Sequence, residues 1–555
     1  DVITKQQIDT LPINGRNFLD LAQIEPGVIL QSGETFDPTK AGYSAISVGG
    51  VSGRTTRILL DGQDITDETV GTTIFNVSQG SIQEFQLNRS TQDVSGDVTS
   101  NGQLAVATTS GANRVHGQLF YNFQDHRALF ARAQNGTDPQ FQRNQFGGSV
   151  GGPIIKDKLF FFGNSERIKQ DSASVSPVSV GTGSLFSAIQ ASHPLIGTPY
   201  RETYSVVRLD YNGPKGIHFF ARANYNVNSV SSNFGYGYWL YANRDNTPGL
   251  AGGADFATGR FTHSFRGSYE KFHNLISDQT GGNSSIYNGL PASAVGGNGL
   301  AFYYSAQHLY SGPNYLAPQG TFQSDKQFRY DGSWTHGTHN LRYGYSLNRI
   351  LGGGYAAFFG LSPRVSISSS SLFKGPTAAN PNGLGCGAVP GAAACPNDPL
   401  QGYHAVTAYI GNGQGSFTEK PGFGLPGSGV FDWRQGAYIT DSWKITPTFT
   451  FNAGVRWSVD TQRANQDIAL PTCGDVDVAS VGVNPCGSAP ASTPLMSIWN
   501  PKFNATHVHQ PWANFGPQIN FAYAPGAAHK TVFRSGIGIF FDSDVFNNTT
   551  NARTA

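Results

Sequence analysis

Arg54, Arg57, Asp61 and Asp64 flank one strand-like run, TTRILLDGQDI (55–65). Two cations and two carboxylates this close could grip a polar solute or respond to its arrival. Charges that face a polar interior usually pair. Salt links across an internal interface are therefore the expected role, with substrate contact by Arg54, Arg57 and Asp64 as the sharper alternative. A second group is aromatic. FGYGYWLYANR (234–244) and AFYYSAQHLY (301–310) supply Tyr238, Trp239, Tyr303 and Tyr304. Aromatic planes suit sugars, peptides and other amphipathic ligands. The plainer expectation is packing within the segments themselves.

Other chemistries find little support. His336 and His339, in HGTH, have no acidic residue close in sequence, and a turn explains them better than a metal. His507 and His509, in NATHVHQ, are better placed but lack further ligands. DGQDITD (61–67) lacks the spacing and final Glu of an EF-hand loop. SVGGP (149–153) and GSGVF (427–431) do not join a strand to a helix, so neither reads as a phosphate cradle. No nucleophile elbow or HExxH pattern occurs. No metal, no cofactor and no enzymatic activity is expected. The net charge is +1, and no basic stripe invites nucleic acid. Cys386, Cys395, Cys473 and Cys486 form two local pairs in Gly/Pro/Ala-rich segments without metal-ligand spacing. Loop-closing disulfides in an oxidising compartment are the expectation.

The elements that must position these residues show in a rhythm. In FTFNAGVRWSV (449–459), Phe449, Phe451, Ala453, Val455, Trp457 and Val459 share one face. Thr450, Asn452, Gly454, Arg456 and Ser458 share the other. Strand side chains alternate, so one surface is greasy and one wet. About thirteen such segments follow from residue 115, near 115–124, 142–153, 158–169, 202–212, 216–229, 255–263, 267–278, 325–335, 339–350, 434–445, 448–460, 512–524 and 530–541. Short links (155–158, 212–216, 336–340, 446–448, 524–530) alternate with long ones (125–141, 170–201, 230–254, 279–324, 351–433, 461–511). Outer-membrane β-barrels have short periplasmic turns and long outer loops. Both cysteine pairs fall in the long class.

Composition agrees. Charged residues make up 13% of the chain, against about 25% in average soluble proteins. No run approaches the 18 or so apolar residues of a transmembrane helix. Trp433 and Trp443 share parity, ten residues apart. At about 3.3 Å per residue and a tilt near 45° they bracket roughly 25 Å, the height of the apolar band between aromatic girdles. Asp441 sits on that outward face and is expected near the interface, where a charge costs little. On the polar parity fall Arg222, Asn224, Asn226 and Asn228, then Arg342, Ser346 and Asn348, then Asn514, Gln518 and Asn520. Such a wall would meet an inner domain through hydrogen bonds and water. Residues 1–112 differ. A short helical pattern (Phe18, Leu19, Ala22) precedes strand candidates at 45–50, 55–65, 82–87 and 102–111, which reads as a small α+β unit. The odd strand count, a start at Asp1 and an end at NARTA are read as a fragment of a longer chain.

Several long segments carry a specific resemblance. LPINGRNFLDLAQIEPGV (11–28), LLDGQD (59–64), NQFGGSVGGPIIKDKLFFFGNSE (144–166), TDSWKITPTFTFNAGVRW (440–457) and FGPQINFAYAPGAAHKTVFRSGIGIFFD (515–542) resemble TonB-dependent outer-membrane receptors of the Oar-like kind. The resemblance implies an all-β membrane barrel of the 22-stranded type, here C-terminally incomplete, across residues 113–555. It implies a small α+β plug domain, residues 1–112, seated in the lumen. It implies an upstream carboxypeptidase-regulatory-like domain and a TonB box that would precede Asp1. The expected function is import: a substrate binds at the outer loops and plug apex, and a TonB-type inner-membrane complex supplies energy. Oligosaccharide, peptide and metal chelate are all open as substrates. The Arg-Gly-Pro plug signature of siderophore receptors is absent, IQEFQLNRSTQDVSG standing there instead. The competing expectation is a surface adhesin or scaffold, suggested by the Gly/Ser/Pro-rich segment 351–433.

Overall fold

In the computed structural model of the chain, the alternating segments become one antiparallel wall. The structure describes residues 2–11, 16–88, 93–96, 99, 101–128, 140–175, 195–232, 239–279, 301–304, 309–314, 317–356, 364–368, 404–409, 416–417, 430–461, 472–476, 484–500, 509–525, 531–543 and 545.

The first seven strands belong to the N-terminal unit. They are β1 (Val2–Thr4), β2 (Val28–Ser32), β3 (Ser44–Val48), β4 (Arg57–Leu60), β5 (Gln63–Asp64), β6 (Ile82–Asn88) and β7 (Gln103–Thr108). The wall then runs through β8 (His116–Asp125), β9 (Phe141–Ile155), β10 (Leu159–Val175), β11 (Tyr200–Asn212), β12 (His218–Ser232), β13 (Tyr241–Thr258), β14 (Phe261–Asp278), β15 (Gln319–His336), β16 (His339–Ala356), β17 (Val430–Thr446), β18 (Phe449–Asp460), β19 (Phe515–Tyr523) and β20 (Phe533–Gly538).

From β8 to β20 every strand pairs with its neighbour in sequence. Two short strands, Leu195–Gly197 and Ser416–Phe417, pair at the margins. Among the described residues β8 and β20 each pair on one side only. Hydrocarbon does not tolerate an open sheet edge, so a closed wall needs strands beyond those described. In β11, Tyr204, Val206, Arg208 and Asp210 are buried toward the lumen, while Val207, Leu209 and Tyr211 are exposed. Ile439, Trp433 and Trp443 of β17 are likewise exposed on the outer face. The alternation therefore puts apolar residues toward lipid and polar ones inside, as in outer-membrane barrels.

The strands run longer than the sequence pattern suggests, up to 18 residues. The largest difference is β13. It begins at Tyr241, so the expected long link 230–254 shrinks to 233–240 and the hairpin turn falls at 259–260. The reason is chemical. Asn243, Asp245 and Thr247 are buried toward the lumen while Arg244 and Asn246 face outward, so this half-strand is polar on both sides and shows no apolar alternation.

The plug sheet has the order β1-β6-β7-β4-β5, with β4 and β7 parallel. A separate hairpin-like pair, β2 and β3, packs beside it. The run 55–65 is two strands rather than one. Asp61 and Gly62 turn the chain with φ of 51° and 85°, the left-handed pair of a tight two-residue hairpin. Phe18–Ile24 is a 3₁₀ helix capped by the Asn17 side chain, and it buries Phe18, Leu19, Leu21 and Ala22. These join Ile46, Ile58, Leu60, Phe75, Phe85 and Leu104 in one apolar core, to which the wall contributes Val206 and Phe272.

Outside the wall, four short strands, Leu309–Ser311, Ala301–Tyr304, Arg364–Ser368 and His404–Tyr409, pair in that order. Two long links thus share one small sheet. Cys473 and Cys486 are joined in a disulfide across another long link. Cys386 and Cys395 lie outside the described residues.

Candidate functional site: the plug–wall interface

The short-turn end of the wall is called lower here and the long-link end upper. Asp61, at the tip of the β4–β5 turn, is the lower anchor. Its Oδ1 accepts from Arg208 of β11 at 3.0 Å, and its Oδ2 accepts from Arg222 of β12 at 2.7 Å. Thr108 of β7 donates its backbone N–H and hydroxyl to the same carboxylate. Burial raises the Asp61 pKa, but Arg222, Arg208 and the Thr108 hydrogen bonds outweigh it, so the carboxyl lies below its usual 3.8. The turn matters because its two left-handed residues aim Asp61 out of the plug sheet and into the wall.

Higher up, Arg434 of β17 reaches the plug. Its guanidinium donates to both oxygens of Glu68, at 2.6 and 2.5 Å, and to Asp460 of β18 at 2.9 Å. Arg57 donates to the same Glu68 at 2.8 Å and lies 3.4 Å from Asp64. Asp64 is in turn 3.5 Å from Arg434. Gln327 of β15 brackets Asp64, accepting from its N–H and donating to its carbonyl. Gln323 accepts the Glu68 N–H. All four charged members, Arg57, Asp64, Glu68 and Arg434, are buried.

Neutral plug donors also reach carboxylates of the wall. Ser78 donates to Glu166 of β10 at 2.6 Å, and Asn76 donates to Glu202 of β11 at 2.9 Å. Near the lower edge Arg342 of β16 grips both oxygens of Asp93. Burial raises the Asp93 pKa too, but Arg342 and the Ser95 N–H bring it below 3.8. Between plug and wall on this side lies a cavity of about 460 Å³, lined by Asp93, Arg342, Asn452, Gln518 and Asn520 among others. A second, of about 440 Å³, reaches Asp61, Arg208, Arg266 and Asp331. The interface is polar, partly hollow and charge-paired. Apolar contact with the plug core comes through Val206 and Phe272 of the wall.

The residues singled out in the sequence land as follows. Asp61 and Asp64 make plug–wall links, while Arg57 pairs inside the plug and shares Glu68 with the wall. Arg54 donates to the Val70 carbonyl at 2.9 Å, with its guanidinium 5.6 Å from the Phe36 ring. Trp239 is buried, its indole N–H donating to the Pro313 carbonyl at 2.7 Å, so it ties two long links together. Tyr303 lies half-buried, with Arg364 5.8 Å from its ring. Tyr238, His507 and the Tyr304 side chain lie outside the described residues. His336 takes a hydrogen bond from Arg260, and His339 pairs with Asp441 at 2.6 Å while stacking on Trp443. The acidic partner that HGTH lacks in sequence thus comes from the next strand. Glu68, Asp93, Arg434 and Asp460 were not legible as site residues. Nothing in their local sequence marks them for one another, and only the register brings them together.

A wall of alternating strands, short turns at one end, long links at the other and a plug held inside by ion pairs describes a plugged outer-membrane β-barrel. The sequence profile of the outer membrane beta barrel domain family matches residues 107–188 and 188–555. The chain belongs to that family. Its location is the outer membrane. Over 155 residues this family member is 24% identical to the TonB-dependent transporter Oar of Myxococcus xanthus, covering 26% of this chain and 14% of that protein. Among solved structures it resembles the outer membrane transporter YddB of Escherichia coli, with TM-score 0.61 and 11% identity, over 100% of this chain and 63% of that one. It also resembles the siderophore receptor PirA of Acinetobacter baumannii, with TM-score 0.54 and 14% identity, over 97% of this chain and 60% of that one. The chain therefore spans less than two thirds of these relatives. They are named as transporters and receptors, and the structural likeness is one of fold.

Proposed function

We propose that the full-length protein is a TonB-dependent importer of the Oar kind. The observation that carries this reading is the ring of charge pairs around the plug. Asp61, Asp64 and Glu68 are held by Arg208, Arg222 and Arg434 in a water-compatible interface. A polar seam can open by exchanging protein hydrogen bonds for water at modest cost, whereas a dry apolar seam could not. The Oar likeness supports coupling to a TonB-type complex through upstream sequence. Substrate contact is proposed for Arg54 of the plug and for Tyr238, Trp239, Tyr303 and Tyr304 of the long links. Arg57 and Asp64, deeper in, belong to the charge ring that movement must break. The substrate class is an oligosaccharide, a peptide or a chelate.

The test joins plug to wall in the full-length protein in its own membrane. Cysteines replacing Asp64 and Gln327 are bridged by a short bis-methanethiosulfonate crosslinker, whose disulfides a reductant cleaves. Uptake of the native substrate should stop on crosslinking and return on cleavage of the bridge. Undiminished uptake with the bridge intact would overturn the importer reading and favour a surface adhesin or scaffold.

A further inference from the structure

The lipid-facing side of the wall carries charges where alternation calls for apolar residues. Lys326 of β15 and Arg349 of β16 are Cα partners, directly opposite each other. Lys271 of β14 is opposite Ser324, which makes it the diagonal neighbour of Lys326. All three fall on the outward parity. Lys271 and Lys326 are exposed and Arg349 is half-exposed. Glu270 and Asp325, adjacent in sequence to the two lysines, and Asp432, beside Trp433 on the next strand, fall on the opposite parity and are buried inside. Among the described residues no carboxylate pairs with any of the three cations.

The level of this patch is fixed by the register. Arg349 is the Cα partner of Trp433, the upper of the two tryptophans that bracket the apolar band. Its guanidinium lies 3.9 Å from the Phe431 ring centroid and 5.5 Å from that of Trp433. Lys326 lies 5.9 Å from the Tyr269 ring centroid. The cations thus stand at the upper aromatic girdle, on the long-link side, where lipid headgroups begin. Like charges directly opposite on neighbouring strands repel. At this depth bulk water is only partly at hand, and long cationic side chains reach toward headgroups. An anion seated between them removes the repulsion. A phosphate matches best, since it takes the planar fork of arginine through paired hydrogen bonds and lysine as a point charge.

We infer that Lys271, Lys326 and Arg349 form a binding site for the phosphate-bearing headgroup of an outer-leaflet lipid. Its acyl chains lie down the apolar strip of β14 to β17 below, where Phe328 and Ile439 are exposed. The site is on the outside of the wall and is independent of substrate passage through the lumen.

The experiment uses the full-length protein, delipidated in a neutral detergent and followed by native mass spectrometry. Diphosphoryl lipid A is the probe, its dephosphorylated form the comparison and inorganic phosphate the competitor. Wild type should bind the phosphorylated lipid at least tenfold more tightly than the dephosphorylated one, and millimolar phosphate should not displace it. Lys326→Gln with Arg349→Gln should weaken binding at least tenfold, while Arg167→Gln, on a distant strand, should not. Should the double variant fail to fold, Lys326→Glu serves in its place. It pairs with Arg349, keeps the wall intact and loses the lipid by the same factor. Binding within twofold of wild type in the folded variant, or equal affinity for the dephosphorylated lipid, would overturn the site. Displacement by inorganic phosphate would overturn it in favour of a free-anion site.

Discussion

Arg434→Met should loosen the plug more than any other single truncation at the interface. Arg434 is 2% exposed and makes four charge-assisted hydrogen bonds of 2.5 to 3.1 Å to Glu68 and Asp460, two to Glu68 of the plug and two to Asp460 of the wall. Removing one partner of a buried pair costs about 3–5 kcal/mol, because the remaining charge stays buried. Glu68 keeps its 2.8 Å bond from Arg57, which places the expectation at the lower bound, about 3 kcal/mol. At about 1.4 kcal/mol per decade, the plug opens locally on the order of a hundred times more often. Amide hydrogen exchange of residues 57–70, measured on the full-length protein in detergent, reads this directly. Protection should fall about a hundredfold there and stay unchanged in the apolar core around Phe85. Glu68→Gln in the same background should add little, since both changes remove one interaction. A fall of less than about threefold, or full additivity of the two substitutions, would show that the plug is not held by this node.

Three further outcomes follow from the same geometry. Because the Asp61 carboxyl is depressed below 3.8, its contribution is fully present above that value and is lost as pH falls through the lower folded value; an acid titration of plug exchange should show that limb in wild type and lack it in Asp61→Asn. Gly71→Ala should destabilise the plug by about 2–4 kcal/mol, since φ there is +88° and a Cβ would lie 2.4 Å from the Arg54 carbonyl oxygen; limited proteolysis in detergent would show earlier cleavage, and an unchanged pattern would contradict it. Ile439→Lys, on the exposed outer face between Trp433 and Trp443, should cost about 2–4 kcal/mol of folding into lipid vesicles, whereas the luminal Ser346→Lys should cost much less; equal penalties would contradict the assignment of faces.

Much of the fold is written in the local pattern. Period-two alternation in FTFNAGVRWSV determines which side chains meet lipid, because a strand has only two faces and only one can be greasy. The spacing of Trp433 and Trp443 determines the height of the apolar band, and the short and long links determine which end is which. The cysteines of 473–486 foretold their own bond, being near neighbours in one link. Where both faces are polar, as in Tyr241–Thr258, the pattern has nothing to show, and the strand emerges only through its hydrogen bonds to β12 and β14.

The interface was legible in kind and not in detail. That Asp61 and Asp64 would pair followed from their charge in a polar interior. Their partners did not, since Asp61 meets residues 147 and 161 positions away, and Glu68 meets one 366 positions away. Only the stacking of the plug inside the rolled wall sets which arginine faces which carboxylate. The same holds for His339 and Asp441, and for the outward row Lys271, Lys326 and Arg349. A sequence fixes the face on which a side chain points, because that is local backbone geometry. It takes strand register to decide what stands beside it, because neighbours across a sheet are chosen by pairing between segments far apart in the chain.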